Sequence, residues 1–347
     1  MALPLSAAGP ATADSCTPEL KVLESTGHAD STAQTAVHDL GPNGLAVGQS
    51  GDVPVYWTGT TVHRVPLPKG FTRGTVRAVN SSGLMVGVVT DSAFSTSRAF
   101  SYRLGSPRTV LLHTTGRNSS AADVNDAGVI VGTQSPGAGV VWQHTRIVRE
   151  LPEPLRSVNE AGTTIGSAFN PDGSEQYHLV VRPQGTTGGP ATLLQPGVYP
   201  IGDEELTGGQ VDNHGRIVGG RTLPYPWAQQ NAYYWDSPYD AAAGEVPALA
   251  GASLGIHFNA TSPNSGLTAG KSQGYYRDEV GWAVEQRAIV WPGSGPALAL
   301  PRLSDTEPTE GAEALAASDT GDVAGWSEDA DGIRQAVVWT CAMQQTL

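Results

Sequence analysis

The apolar residues of this chain come in short runs, and the runs come in sets. One run in each set ends in an aromatic or branched residue: VPVYW at Trp57, RAFSY at Tyr102, AGVVW at Trp142, YHLVV at Val181, NAYYW at Trp235, RAIVW at Trp291 and QAVVW at Trp339. Ahead of it stand two runs separated by a tight turn, as in AVNSSGLMVG (78–87), DVNDAGVIVG (123–132), SVNEAGTTIG (157–166) and QVDNHGRIVG (210–219). Behind it follows a shorter Leu/Val run such as RTVLL or RIVREL. Short runs rich in β-branched and aromatic residues, bounded by Gly, Asn and Asp, read as strands. With no helical spacing between them, each set predicts four consecutive antiparallel strands.

The turns fix the number of sets. A first glycine falls at Gly44, Gly83, Gly128, Gly162, Gly215, Gly266 and Gly321, and a second follows four residues later each time. The seven copies lie 34 to 55 residues apart, which marks a repeat architecture. Three residues before the first glycine stand Asn80, Asn125, Asn159, Asp212 and Ser318, with Gly41 and Pro263 as the exceptions. Asn or Asp opens a type I turn, and Gly three residues on takes the left-handed conformation without steric penalty. Asn80–Gly83, Asn125–Gly128, Asn159–Gly162 and Asp212–Gly215 are therefore expected structural turns. Seven four-stranded sheets arranged radially predict an all-β, seven-bladed β-propeller.

The ends of the chain fit that register. The last copy finishes in VVWTC without a fourth strand, while PELKVLE (18–24) offers an extra one at the start. The N-terminal strand should complete the last blade beside Trp339, which brings Cys16 and Cys341 together as an expected disulfide of an oxidising compartment. Residues 1–14, small and uncharged up to ATA before Asp14, read as a signal-peptide remnant or disordered tail. Residues 15–347 read as a single propeller domain.

The phrase A-x-x-[VI]-N-x-x-G-x-[VI]-V-G, followed by an Ala-Phe-x-Trp-like strand, resembles the HAF-repeat extracellular proteins of bacteria. The resemblance spans residues 16–341, with Arg98-Ala99-Phe100 nearest to the motif that names the family. It implies a secreted, propeller-like repeat protein and carries over no catalytic residue.

Composition narrows the partners. The formal net charge is −13 and no Lys/Arg cluster occurs, which argues against nucleic acid or an anionic membrane. No apolar run reaches the roughly 18 residues of a membrane span. The expected partner is a polysaccharide or an extracellular protein, and the expected state is a monomer.

Several motifs imitate chemistry. GASLG (251–255) matches G-x-S-x-G, but Ser253 falls in a connection rather than between a strand and a helix. DADG (329–332) and NPDG (170–173) are turns before they are calcium loops, so no cofactor is expected beyond a structural calcium as the alternative. The eight histidines show no zinc spacing, and no metal site is expected. Trp57, Trp142, Trp235, Trp291 and Trp339 recur at one position and read as packing between blades.

The better candidates are residues that break the repeat. Copies five and six lengthen the connection between second and third strands, with RTLPYPWAQQN (221–231) and KSQGYYRDEVGWAVEQR (271–287). Tyr225, Trp227, Tyr275, Tyr276, Arg277, Asp278 and Trp282 form the candidate ligand face, suited to sugar stacking or peptide docking. The alternative is that these aromatics seal sheet edges. The leading expectation is a secreted, non-enzymatic binding module with an aromatic and acidic face, possible for carbohydrate. A lyase or hydrolase acting on polysaccharide, with Asp203, Glu204 or His257 converging on the axis, and a purely structural envelope protein are the alternatives.

Overall fold

A computed structural model describes residues 19–27, 34–169, 177–183, 192–193, 205–222, 230–237, 239, 243–277, 282–306 and 310–344. Each glycine pair sits in an antiparallel sheet whose strands join in chain order. The first sheet is Thr35–Leu40, Leu45–Ser50, Val53–Thr58 and Thr61–Arg64. The second is Arg73–Val79, Leu84–Thr90, Ser97–Arg103 and Val110–Leu111. The third is Ser119–Val124, Val129–Gln134, Ala138–Gln143 and Arg146–Leu151. The fourth is Leu155–Val158, Thr164–Phe169, Tyr177–Arg182 and Thr192–Leu193. In the seventh repeat, Ala312–Ala317, Val323–Glu328 and Arg334–Thr340 take their fourth strand from the start of the chain. Glu19–Val22 pairs antiparallel with Arg334–Thr340, setting Leu20 opposite Trp339.

Repeats five and six differ from the expected separate sheets. Repeat five is Glu205–Val211, Ile217–Thr222, Gln230–Trp235 and Gly244–Glu245; repeat six is Gly255–Thr261, Thr268–Arg277, Trp282–Trp291 and Leu298–Ala299. A parallel bridge between Gln230 and Gly255 merges them into one eight-stranded sheet, leaving six hydrogen-bonded sheets among the described residues. Gly255 makes the merger possible. Its φ is 90°, and a Cβ there would overlap the Gln230 carbonyl oxygen.

Each opening strand packs beside the opening strands of the repeats before and after it, and the seventh packs beside the first. The apolar core lies between neighbouring sheets. Ala78, Val86 and Ala99 of repeat two, for example, share a cluster with Val124, Ile130 and Trp142 of repeat three. The recurrent tryptophans are buried in these seams. The indole N–H groups of Trp57, Trp142 and Trp339 donate to the carbonyls of Glu24, His113 and Pro301, in the links that lead into their own repeats. Tryptophan thus buries a large ring and satisfies its one donor at the same seam.

The phrase encodes two devices. The first glycines close the expected turn: Gly83, Gly128, Gly162 and Gly215 donate to Asn80, Asn125, Asn159 and Asp212, and all seven first glycines have φ between 71° and 88°. The second glycines serve a bulge. Every opening strand slips register, skipping His38, Arg77, Ala122, Arg156, Gly208–Gly209, Asn259 and Leu315 in turn. The slip drives the carbonyl two residues upstream onto the second strand. A Cβ on Gly48, Gly87, Gly132, Gly270 or Gly325 would overlap that oxygen, on Ala36, Thr75, Ser120, His257 or Glu313 respectively.

The turn side chains also join the repeats. Asn80 accepts the Leu84 N–H with Oδ1 and donates from Nδ2 to the Asn125 carbonyl, at 2.9 Å each. Asn125 repeats this toward Asn159 (3.0 Å), and Asn159 toward Asp212 (2.9 Å). The position needs an acceptor and a donor on one short side chain, which Asn has and Asp lacks. At Asp212 the next contact accordingly changes: the Asn213 N–H donates to the Pro263 carbonyl (2.7 Å).

Candidate functional site

The bulge re-aims one residue of each opening strand out of the seams. Arg77, Ala122, Arg156, Gly208, Gly209 and Asn259, five repeats' worth of skipped residues, line a single cavity of about 360 Å³ with Ser120, Thr133 and Gln210. The cavity sits toward the ends where the opening strands begin. That is the face of the links between repeats and of the connections between second and third strands.

Its character is cationic. Arg77 donates from Nη1 to Ser120 Oγ at 2.7 Å, and Arg156 from Nε to Ser167 Oγ at 3.1 Å. Neither guanidinium forms an ion pair with a carboxylate among the described residues. Arg77 reaches water through the cavity yet is surrounded by protein, and this enclosure, then the charge of Arg156, pulls its pKa down. Nearby Glu313 is treated differently. Lys271 (3.4 Å), Asn259 (3.0 Å) and Gln286 (3.2 Å) surround its carboxylate with donors. His257, packed against Gly208 and Gly220, is lowered to about 4 by burial, then by Lys271, with Glu313 opposing; its Nδ1 is buried without a partner.

The opposite end of the channel, by the turns, is acidic. A smaller cavity of about 110 Å³ is lined by His38, Asp39, Asp123 and Glu160, and shares Arg77, Ala122 and Gln210 with the first. Asp39 accepts the N–H groups of Leu40 and Val79, both at 2.8 Å, and so ties repeat one to repeat two. Asp123 accepts those of Val124 (2.7 Å) and Val158 (2.9 Å), tying repeat three to repeat four. Burial pushes Asp39 up to about 7 against these donors, and raises Asp123 for the same reason. His38 is lowered to about 4, by burial first and Arg77 second.

No family model and no curated protein matches the chain. Solved structures do. The β-propeller domain of the Trilobed protease from Pyrococcus furiosus aligns over 88% of this chain and 94% of its own, with TM-score 0.52 and 10% identity. The fold is a β-propeller. TolB from Acinetobacter baumannii aligns over 85% of this chain and 78% of its own, with TM-score 0.41 and 9% identity.

Three of the seven residues of the expected ligand face, Tyr225, Trp227 and Asp278, lie outside the described residues, as do Asp203 and Glu204. Tyr276, Arg277 and Trp282 are placed as backbone in the repeat-six hairpin, where Arg277 pairs with Trp282. Tyr275, in the same hairpin, is 49% exposed. Of the residues expected on the axis, His257 is near the arginine cavity. Ser253 sits in a turn and accepts the Tyr275 N–H (2.8 Å), which is a structural role. Asp329 opens a turn closed by Gly332, accepting the Asp331 and Ile333 N–H groups; NPDG lies outside the described residues. Among the described residues no cluster of His, Cys, Asp and Glu is arranged to hold a metal ion. No described helix is long and apolar enough to cross a membrane. Cys341 is not a free thiol, and Cys16 lies outside the described residues.

The arginine cavity was missed in the sequence because the signal there is difference. Six residues before the first glycine stand His38, Arg77, Ala122, Arg156, Gly209, Ala260 and Leu315, a position that changes among the copies while its neighbours repeat; in the sixth copy the bulge residue is Asn259, one earlier.

Proposed function

We propose that the chain is a seven-bladed, non-catalytic binding propeller that works outside the cytoplasm and seats its ligand in the axial cavity on the link face. One observation carries this: a scaffold repeated in every copy aims the bulge residues of five repeats, which vary among the copies, at a common cavity. Binding sites on rigid scaffolds have this form, with constant support and variable contact. The cavity is lined by guanidinium, hydroxyl and amide groups, which hold a ligand rather than exchange protons with it near neutrality.

The blade count is supported by the succession of seven opening strands, the last beside the first. The location is supported by the chain ends. Glu19 pairs with Thr340, so Cys16 is three residues from one partner and Cys341 one residue from the other. A Cys16–Cys341 bond there would persist only in an oxidising compartment. The likeness to HAF-repeat proteins points the same way.

The test is a thermal-shift screen of sugars, sugar acids and small organic anions against the wild type and Ala122→Trp, which fills the cavity. A compound that raises Tm in the wild type alone is the expected result. Retention of every hit by an equally stable Ala122→Trp protein would remove the axial site.

A second reading has its own observation. The repeat-six strands Thr268–Arg277 and Trp282–Trp291 run ten residues each, while their counterparts elsewhere run six or seven. This hairpin projects on the same face as the arginine cavity and presents Tyr275. A polysaccharide or protein docked on it would lose affinity in Tyr275→Ala and be indifferent to Ala122→Trp.

A further inference from the structure

We infer that the axial cavity is an oxyanion site, in which a carboxylate, sulfate or phosphate group of a small ligand is held by Arg77 and Arg156 together. The inference rests on the axial reading above and adds the chemistry of the ligand.

Elsewhere the fold gives its charged groups partners. Arg182 pairs with Glu153, Arg302 with Asp305 (2.6 Å), and Lys271 with Glu313 (3.4 Å). Asp39 and Asp123 accept two backbone N–H groups each. Arg77 and Arg156 stand apart from this pattern. They face one cavity close enough to repel, in a chain whose formal net charge is −13, and carboxylates are abundant elsewhere. Two like charges lining one cavity repel each other, and an anion between them relieves that repulsion. Their protein contacts are hydroxyls, which leave nitrogens of both forks for a ligand.

The guanidinium fork matches the geometry of an oxyanion better than that of a neutral hydroxyl. Gly208 and Gly209 leave part of the wall without side chains, so the backbone itself borders the ligand there. An anion that enters from the link face comes to rest at the arginines.

Calorimetric titration at low salt tests this, using inorganic sulfate, galacturonate, glucose 6-phosphate and neutral galactose as probes. At least one of the three anions should bind at or below millimolar concentration while galactose does not. Their relative affinities distinguish carboxylate, sulfate and phosphate sources. Arg77→Gln and Arg156→Gln should each weaken binding about tenfold or more, and added chloride should compete. The unfolding midpoint of both variants should stay at or slightly above that of the wild type, which separates lost binding from lost folding. Anion binding unchanged in both variants, or no anion binding at all, overturns the oxyanion site. Galactose binding that survives both Gln variants but is lost in Ala122→Trp would overturn it while keeping the axial reading. Probes that bind Ala122→Trp and the wild type alike would overturn both.

Discussion

The two ends of the propeller's channel handle charge in opposite ways. At the turn end, Asp39, Asp123 and Glu160 each accept N–H groups of the backbone, and all three tie one blade to the next. At the link end, Arg77 and Arg156 make hydroxyl contacts and face open space. Both ends are built from the same few residues of the same repeated phrase. The difference teaches that position within the phrase, rather than residue type, separates scaffold from site. The residue beside the bulge builds the ring, and the residue in the bulge is released from that duty.

The largest expected effect strikes both ends at once. In Gly132→Ala the new Cβ overlaps the Ser120 carbonyl, and the bulge that aims Ala122 cannot form unstrained. A loss of about 3 kcal/mol or more is expected in urea unfolding, with ligand binding lost too. A variant within about 0.5 kcal/mol of the wild type would show that the second glycine does not serve the bulge.

Asp123→Ala should separate the ends. It leaves the N–H groups of Val124 and Val158 without their acceptor, for a loss of about 2 kcal/mol. Sulfate affinity at the far end should stay unchanged. If affinity falls as stability falls, the ends are coupled and the comparison fails.

The last expected effect is in pH dependence, where His257 by the link end and Asp39 at the turn end have opposite signs. His257 has its folded pKa lowered to about 4, below the roughly 6.5 of an unfolded histidine. The unfolded chain then binds the proton first, so this contribution is full above pH 6.5 and is lost as pH falls toward 4. Asp39 is raised to about 7, above the roughly 3.9 of an unfolded aspartate. Its proton is held more tightly when folded, so its contribution is present at low pH and is lost as pH rises through 7. Unfolding free energies from pH 4 to 8 should show His257→Gln with a shallower acid-side decline and Asp39→Asn with a shallower neutral-side decline. Parallel profiles for the two variants would contradict the assignment.

Much of the architecture was legible because turns and strands rest on local chemistry. Asn80 to Gly83 announces its hairpin from four residues, and the missing fourth strand after Trp339 announces where Glu19–Val22 goes. The blade-end tryptophans were legible as packing for the same reason: they recur. The site was less legible. Arg77 and Arg156 interrupt the apolar pattern of VRAV and LRSV, but only the bulge, a relation between two strands, turns that interruption toward the axis. The merger of repeats five and six depends on one backbone position, Gly255, that no periodicity reveals. The aromatic residues expected to bind ligand drew attention by breaking the repeat in length. The arginines break it in chemistry while keeping its length.

The pairing of Glu19–Val22 with Arg334–Thr340 has a consequence for the life of the chain before it is folded. The last sheet is not completed by its neighbours in sequence; its fourth strand comes from ahead of the first repeat. Until that strand pairs, Arg334–Thr340 is an open edge, and its neighbour across the seam has no finished surface to pack against. Closure is thus the contact of greatest sequence separation in the molecule, and the slowest kind to form. The repeats between can accumulate in order, but the ring closes only when the segment ahead of the first repeat meets the last.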